Sequence, residues 1–469
     1  MDRRTALGHV AALTAGTLLS GRPSRAAGSA ATAPAPHDAG DYREAALAAE
    51  RWIARSAIRD ASGTRWPVDP LVASSVDQSL YSGCPGVVLF YLELHHATGD
   101  RRYLDEARAG ARALVAALPA DPAALGVEGA GMYTGVAGTT YVLRLVQERA
   151  PSDDTANALA RIAKMLRSVG MARDVGGGWN DSNDIISGTC GIALTLMWHG
   201  QRDDKWKVFH PQLRNAARSL IAAGESDLGG TKWRAMPQLP KRYPNFSHGT
   251  AGVSYTLATL AMHDALRSDD ILRNAARDAA LSGERYLDRI ATRTPGGGRK
   301  VFHSEPGGEQ LYYLSWCHGP AGTARLYRQL ERMTGDQSWR AVVSQLSLAI
   351  REAGVPEVHP DLSGYWNNIS QCCGNCGVAE YFVARHRAGG DAADLAFGRR
   401  VMDDVLARAT RDGDGLKWVQ AENRVSPKDV VAQTGYMQGA AGVGVALLHL
   451  EGAMSGRAPL VVLPDTPVW

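Results

Sequence analysis

The chain has 469 residues, 45% of them hydrophobic and 21% charged, with a formal net charge of +3. This balance excludes a disordered chain, and no basic run interleaved with aromatics makes a case for nucleic acid as a partner. The length exceeds the roughly 250–300 residues that one simple core holds, so the chain contains either two domains or repeats stacked around a shared core.

Residues 1–30 read as an export segment. "MDRRTALGHVAALTAGTLLSG" places Arg3 and Arg4 ahead of a weakly apolar run, and "SRAAGSA" supplies small residues suited to cleavage. Paired arginines before such a run resemble a twin-arginine signal, so the mature chain is expected to begin near Ala31 and to work in the periplasm or outside the cell. The competing reading is a frayed amphipathic N-terminus, with the protein then cytoplasmic. The run is too short to span a membrane, and no other stretch has transmembrane length. Residues 31–40, rich in Ala and Pro, read as a linker.

From residue 41 to 469 one pattern recurs. A G-x-x-G followed by an apolar run occurs seven times, as "SGCPGVVLFYLEL", "TGVAGTTYVLRLV", "SGTCGIALTLMW", "HGTAGVSYTLATLA", "HGPAGTARLYRQL", "CGNCGVAEYFVA" and "QGAAGVGVALLHL". Successive first glycines lie 52 to 70 residues apart, and recurrence at such intervals is the mark of a repeat architecture. Amphipathic helices lie between the motifs. "DTANALARIAKMLRSV" puts Leu159, Ile162, Leu166 and Val169 on one face, and "WRAVVSQLSLAI" does so with Val342, Leu346, Ala349 and Ile350. Strand-like alternation is scarce, so the chain is all-α. Each repeat reads as an amphipathic helix, a loop, and a second helix starting at G-x-x-G. The second helices are apolar nearly all round and form an inner layer, with the amphipathic ones outside. Whether seven hairpins close into a ring stays open at this point.

The register sorts the six cysteines. The slot before the second glycine holds Pro85, Ala137, Cys190, Ala251, Ala321, Cys376 and Ala441, so Cys190 and Cys376 are small packing groups. Cys84 has no evident partner. Cys317 and Cys372 share the slot two before the first glycine in neighbouring repeats, and Cys373 follows directly. These three belong at the N-terminal ends of two adjacent inner helices. Three thiolates there suit one tetrahedral zinc. The site is closed if His318 is the fourth ligand and open, hence catalytic, if it is not. A Cys317–Cys372 disulfide is the competing reading. An open three-thiolate zinc would activate a thiol while leaving it electron-rich.

These residues resemble the lanthionine synthetase C family, the lanthipeptide cyclases, in the seven repeats and in "NFSHGTAG", "SWCHGPAG" and "QCCGNCG". The resemblance runs from about Asp41 to the end of the chain. It implies an α/α toroid of seven helical hairpins with one zinc at its mouth. It also implies addition of a cysteine thiol to dehydroalanine or dehydrobutyrine, giving a thioether ring. Cys317 and Cys372 match the family's first and second cysteine ligands. Cys373 stands where most members have histidine, as in a three-cysteine subgroup that accepts varied substrates. His248 and Asp184 match the catalytic histidine and aspartate, and Trp316 the tryptophan before the first ligand. The arginine usual shortly before that tryptophan is missing from "EQLYYLSW", where Tyr313 stands nearby.

The chemistry of the residues runs parallel. Thiolate attack on a dehydro residue creates an enolate whose α-carbon needs a proton. His248 is a candidate general acid, with Asp184 orienting it or sharing the proton work. The bland alternatives are a polar helix-start residue for His248 and an N-cap for Asp184. The expected partners are a dehydrated peptide or protein and a separate dehydratase. Other readings are a zinc enzyme adding a small thiol to dehydro residues, a non-catalytic zinc-bearing peptide-binding module, and a toroidal glycoside hydrolase. The last requires two facing carboxylates, and Asp184 has no equally placed partner.

Overall fold

Helices dominate because the chain alternates two kinds of helical sequence. The computed structural model describes residues 37–469 except 122–124, 126–128, 173–175, 358–367, 390 and 420–429. The expected export signal over 1–30 lies outside the described residues, as does the linker up to residue 36. Among the described residues, seven helices are buried nearly all round: α2 (Cys84–Thr98), α4 (Val136–Arg149), α6 (Thr189–Gly200), α8 (Thr250–Met262), α10 (Pro320–Thr334), α12 (Asn375–Arg387) and α14 (Ala440–Ser455). Seven others bury one face: α1 (Ala39–Arg55), α3 (Arg101–Ala117), α5 (Asp153–Ser168), α7 (His210–Ala222), α9 (Asp270–Ile290), α11 (Trp339–Glu352) and α13 (Ala392–Ala407). No described helix is long and apolar enough to cross a membrane.

The two layers start differently. Five of the seven outer helices carry side-chain N-caps, Asp38, Asp100, Ser152, Asp269 and Asp391, that accept a bond from the first turn. Inner helices start on the first motif glycine and have no such cap. The preceding loop instead folds tightly over their first turn. A Cβ on Gly249 would meet the Tyr243 carbonyl oxygen at 1.4 Å, and one on Gly322 would meet that of Trp316 at 1.8 Å.

Five inner helices pack most closely with the outer helix that follows them, as in α2–α3, α8–α9 and α12–α13, whereas α6 packs more against the short helical turn Asp204–Phe209 than against α7. The last inner helix finds its outer partner at the other end of the chain, in α1. Neighbouring inner helices touch all the way round, and α14 touches α2, so the fold is a closed α/α toroid. The mouth carries the same symmetry in its backbone. Tyr81 N donates to Tyr133 O and Tyr133 N to Ile186 O; Ile185 N then reaches Ser247 O, and Ser247 N reaches Cys317 O. Cys317 N donates to Cys372 O, Cys372 N to Met437 O, and Met437 N back to Tyr81 O. A seven-membered hydrogen-bonded ring therefore links the loops that open the inner helices.

Two details differ from the sequence-based expectation. Five short antiparallel hairpins follow outer helices: β1–β2 (Ile58–Asp60, Gly63–Arg65), β3–β4 (Met171–Ala172, Gly177–Gly178), β5–β6 (Glu225–Asp227, Gly230–Lys232), β7–β8 (Thr292–Arg293, Arg299–Lys300) and β9–β10 (Thr410–Asp412, Gly415–Lys417). After three of them a buried tryptophan, Trp179, Trp233 or Trp418, donates its indole N–H to a carbonyl near the end of the preceding outer helix. In α11 the buried apolar face is led by Val343, and Val342 is only half-buried, because the helix is turned about its axis relative to the expected stripe.

Candidate metal centre

The hydrogen-bonded ring explains why three distant cysteines meet. Cys317 and Cys372 occupy consecutive positions in it, joined by their own backbone bond of 3.1 Å. The turn before α12 then places Cys373. Asn368 Oδ1 accepts from the amide and hydroxyl of Ser370, whose Oγ accepts from Cys373 N at 3.1 Å. Cys317 and Cys372 are buried and Cys373 is half-buried, so the trio sits at the floor of the mouth.

Sγ of Cys373 lies 3.1 Å from that of Cys317 and 3.5 Å from that of Cys372, and all three sulfurs lie within 4.8 Å of one another. A disulfide requires about 2.05 Å, and all six cysteines are free. Sulfurs on one tetrahedral zinc at about 2.3 Å would lie roughly 3.8 Å apart. Small side-chain rotations convert the trio to that spacing, so the residues fit the metal. Hydrogen bonds from Cys317 and Cys373 hold the Cys372 thiol well below its ordinary range, and the contacts with Cys317 and Cys372 push Cys373 up. Tyr81 also hydrogen-bonds Cys372, and Gln438 Nε2 donates to Tyr81 Oη at 2.7 Å.

His318 does not join this group. Among the described residues no imidazole nitrogen or carboxylate oxygen lies within 4.8 Å of all three sulfurs. Its ring packs instead against His303 at 4.3 Å, Tyr243 at 5.2 Å and His248 at 5.6 Å between centroids. Tyr313 closes the same wall, 4.6 Å from His303.

His248 and Asp184 come together although they lie in separate repeats. His248 Nδ1 is 2.5 Å from Asp184 Oδ2, so Nδ1–H donates to the carboxylate and this bond fixes the direction of the ring. Asp184 is 2% exposed and His248 retains 35% of its side-chain surface, so the imidazole faces the mouth. The other carboxylate oxygen, Oδ1, accepts from Ser187 N at 2.9 Å and Gly188 N at 2.8 Å, bracing the turn that leads into α6. His248 lies near enough to Cys372 to favour its ionised form. Cys190 and Cys376 are fully buried and stand apart from the sulfur trio.

The sequence did not single out Tyr81, Gln438, His303 or Tyr243. Tyr81 and Gln438 had a signal, because they fill the slots of Cys372 and Cys373 in other repeats. His303 had none, since it follows a hairpin strand outside the motif.

Comparison with known proteins places this geometry. The family model described as lanthionine synthetase C-like protein matches residues 74–459. No curated protein matches the chain in sequence. Among solved structures, nisin cyclase superposes with a TM-score of 0.59 at 15% identity, covering 88% of this chain and 94% of its own. An unsaturated glucuronyl hydrolase specific for heparin gives 0.46 at 11% identity over 90% and 100%, and the GH76A α-1,6-mannanase from Salegentibacter gives 0.44 at 10% over 88% and 99%.

Proposed function

Because the chain belongs to the lanthionine synthetase C-like family, we propose that it is a zinc-dependent cyclase that joins a cysteine thiol to dehydroalanine or dehydrobutyrine in a peptide. The observation that carries this reading is the convergence of three free thiols with a His–Asp pair at one mouth. Cys317, Cys372 and Cys373 would hold one zinc, which supplies Lewis acidity toward a substrate thiol while its thiolate ligands keep that sulfur nucleophilic.

The protein's own groups manage the protons. Attack forms a carbon–sulfur bond at the β-carbon and moves the alkene pair toward the α-carbon and its carbonyl. His248 Nε2 delivers a proton to the α-carbon, and the proton lost by the thiol restores the imidazolium. Asp184 fixes the tautomer and the direction of the ring through Nδ1. The aromatic wall of Tyr243, His303 and His318 limits water at the mouth and offers flat surfaces to a peptide. The substrate is a dehydrated peptide or protein, and a separate dehydratase must produce it.

The test incubates zinc-loaded protein with a dehydrated peptide containing cysteine. Cyclisation leaves the mass unchanged, so alkylation is the readout: cyclised peptide takes up fewer alkyl groups. Full alkylation after incubation overturns the cyclase reading. A mass gain in the presence of added small thiol would assign addition of that thiol instead.

A further inference from the structure

The segment after α14 fills the toroid's axis. α14 ends at the end opposite the mouth, and Gly456, with φ 79, reverses the chain. Glu93, nine residues into α2 and so about 14 Å below its start, accepts from Leu460 N at 3.0 Å and Val461 N at 2.8 Å. Higher up, Tyr141 Oη donates to Val462 O at 2.9 Å. The segment then reaches the underside of the mouth. There Asp465, fully buried, accepts at Oδ2 from Tyr133 Oη and Trp316 Nε1, both at 3.1 Å, and pairs with Arg325 at 3.2 Å. Arg325 also donates to the Asp465 carbonyl at 2.9 Å. Tyr133 precedes α4 and Trp316 precedes α10, on opposite sides of the ring, yet their rings meet at 5.2 Å. Asp465 therefore fastens both walls of the lumen to one carboxylate.

Trp316 immediately precedes Cys317. Its indole N–H is fixed by Asp465 and its carbonyl lies over the first turn of α10. Asp465 is an expensive way to fill space. Its Oδ1 has no hydrogen-bond partner among the described residues, and a buried, half-bonded anion costs stability where an apolar side chain would pack as well. We propose that Asp465 is a positioning residue for the metal centre, acting through Trp316 to fix the direction of Cys317. This assignment rests on the zinc reading above.

The test uses the full chain loaded with cobalt(II), whose thiolate charge-transfer and ligand-field bands report sulfur geometry directly. Zinc affinity is measured in parallel by competition with a chromophoric chelator. The variants are Asp465→Ala, Asp465→Asn and Trp316→Phe, the last of which removes the indole donor and keeps an aromatic ring. The expected result is shifted ligand-field bands and a zinc affinity about 10–100-fold weaker in Asp465→Ala, a loss typical of groups behind a ligand. Trp316→Phe should produce the same shift, with little added in the double variant. Asp465→Asn keeps an acceptor for the indole and should retain most of the affinity. Should Asp465→Ala fail to fold, Trp316→Phe decides. Unaltered bands and affinity in Trp316→Phe, or in a folded Asp465→Ala, overturn the assignment. Wild-type protein that takes up neither metal overturns the zinc reading together with this one, whereas normal wild-type uptake with unaffected variants overturns only the role of Asp465.

Discussion

Asp184 divides its two carboxylate oxygens between two tasks. Oδ1 braces the turn that leads into α6 and Oδ2 orients His248. Asp184→Asn keeps an oxygen acceptor for those two amides, so melting should move by less than the ~1 kcal/mol typical of a lost hydrogen bond. It replaces the acceptor for Nδ1–H or forces the wrong tautomer, so cyclisation should fall toward the loss seen in His248→Ala, about 10²–10⁴-fold. Asp184→Ala should show both losses. Equal activity in Asp184→Asn and wild type would reduce the aspartate to a brace for its own turn. The cysteines separate in the same manner. Alanine at 190 or 376 should leave one zinc per chain by elemental analysis, with a stability cost on the order of 1 kcal/mol for the lost sulfur, whereas the triple alanine variant at 317, 372 and 373 should bind none. Undiminished zinc in the triple variant sinks the site. The cysteine trio was legible in the sequence because it lies inside the repeated motif, where a register can be counted. His303 and Asp465 were not, because they reach the site from segments that carry no repeat.

At the scale of elements, the glycine that starts each inner helix is a place where two backbones touch. Its φ is ordinary extended backbone, −147° at Gly249, so the constraint is space rather than conformation. Gly249→Ala should therefore destabilise by at least ~3 kcal/mol, or abolish folding, because backbone rather than a side chain stands in the way. The sequence showed these glycines clearly, and it showed the helices through their 3.6-residue period. It could not show the hairpins, since strands of two or three residues are too short to display alternation. The segment after α14 is clamped by a buried cluster that makes a pH prediction. Burial opposes protonation of His449, but the Glu380 and Glu93 carboxylates outweigh it and raise the imidazole to about 10. Burial likewise opposes ionisation of Glu93, but His449 and the backbone donor Val461 N lower it to about 2. The stability from His449 is complete below its unfolded value of 6.5 and is lost as pH rises through about 10. That from Glu93 is complete above 4.5 and is lost as pH falls through about 2. Both describe one interaction, so its contribution is greatest between about 4.5 and 6.5. The melting difference between wild type and His449→Gln should be largest in that window and vanish near pH 10. A difference that grows above pH 8 contradicts the clamp.

The molecule as a whole closes by joining its ends, with α1 packed on α14 and the following segment threaded up the axis. Every inner helix thereby gains two neighbours, and the mouth ring of hydrogen bonds has no open edge. Closure also means that residues near the end of the sequence buttress the cysteine trio, because Met437 O accepts from Cys372 N and Asp465 Oδ2 from Trp316 Nε1. Export would have to respect this. Arg3 and Arg4 before a weak apolar run fit a route that carries folded proteins, so we infer that the chain leaves the cytoplasm already closed and already holding zinc. Lysine at positions 3 and 4 should then keep the protein inside the cell. A lysine variant exported as before, or a native chain retained at full length in the cytoplasm, ends that inference while leaving the chemistry of the mouth untouched. Outside the cell free thiols tend to oxidise, and the sulfurs of Cys317 and Cys373 lie only 3.1 Å apart without being vicinal in the chain. Chelation in air should therefore produce a disulfide between them. Activity should return only when reductant and zinc are both supplied, and peptide mapping under non-reducing conditions should find the Cys317–Cys373 link. Recovery with zinc alone after prolonged exposure to air would show that the site keeps its thiols apart without a metal, and that zinc on arrival is not what preserves it.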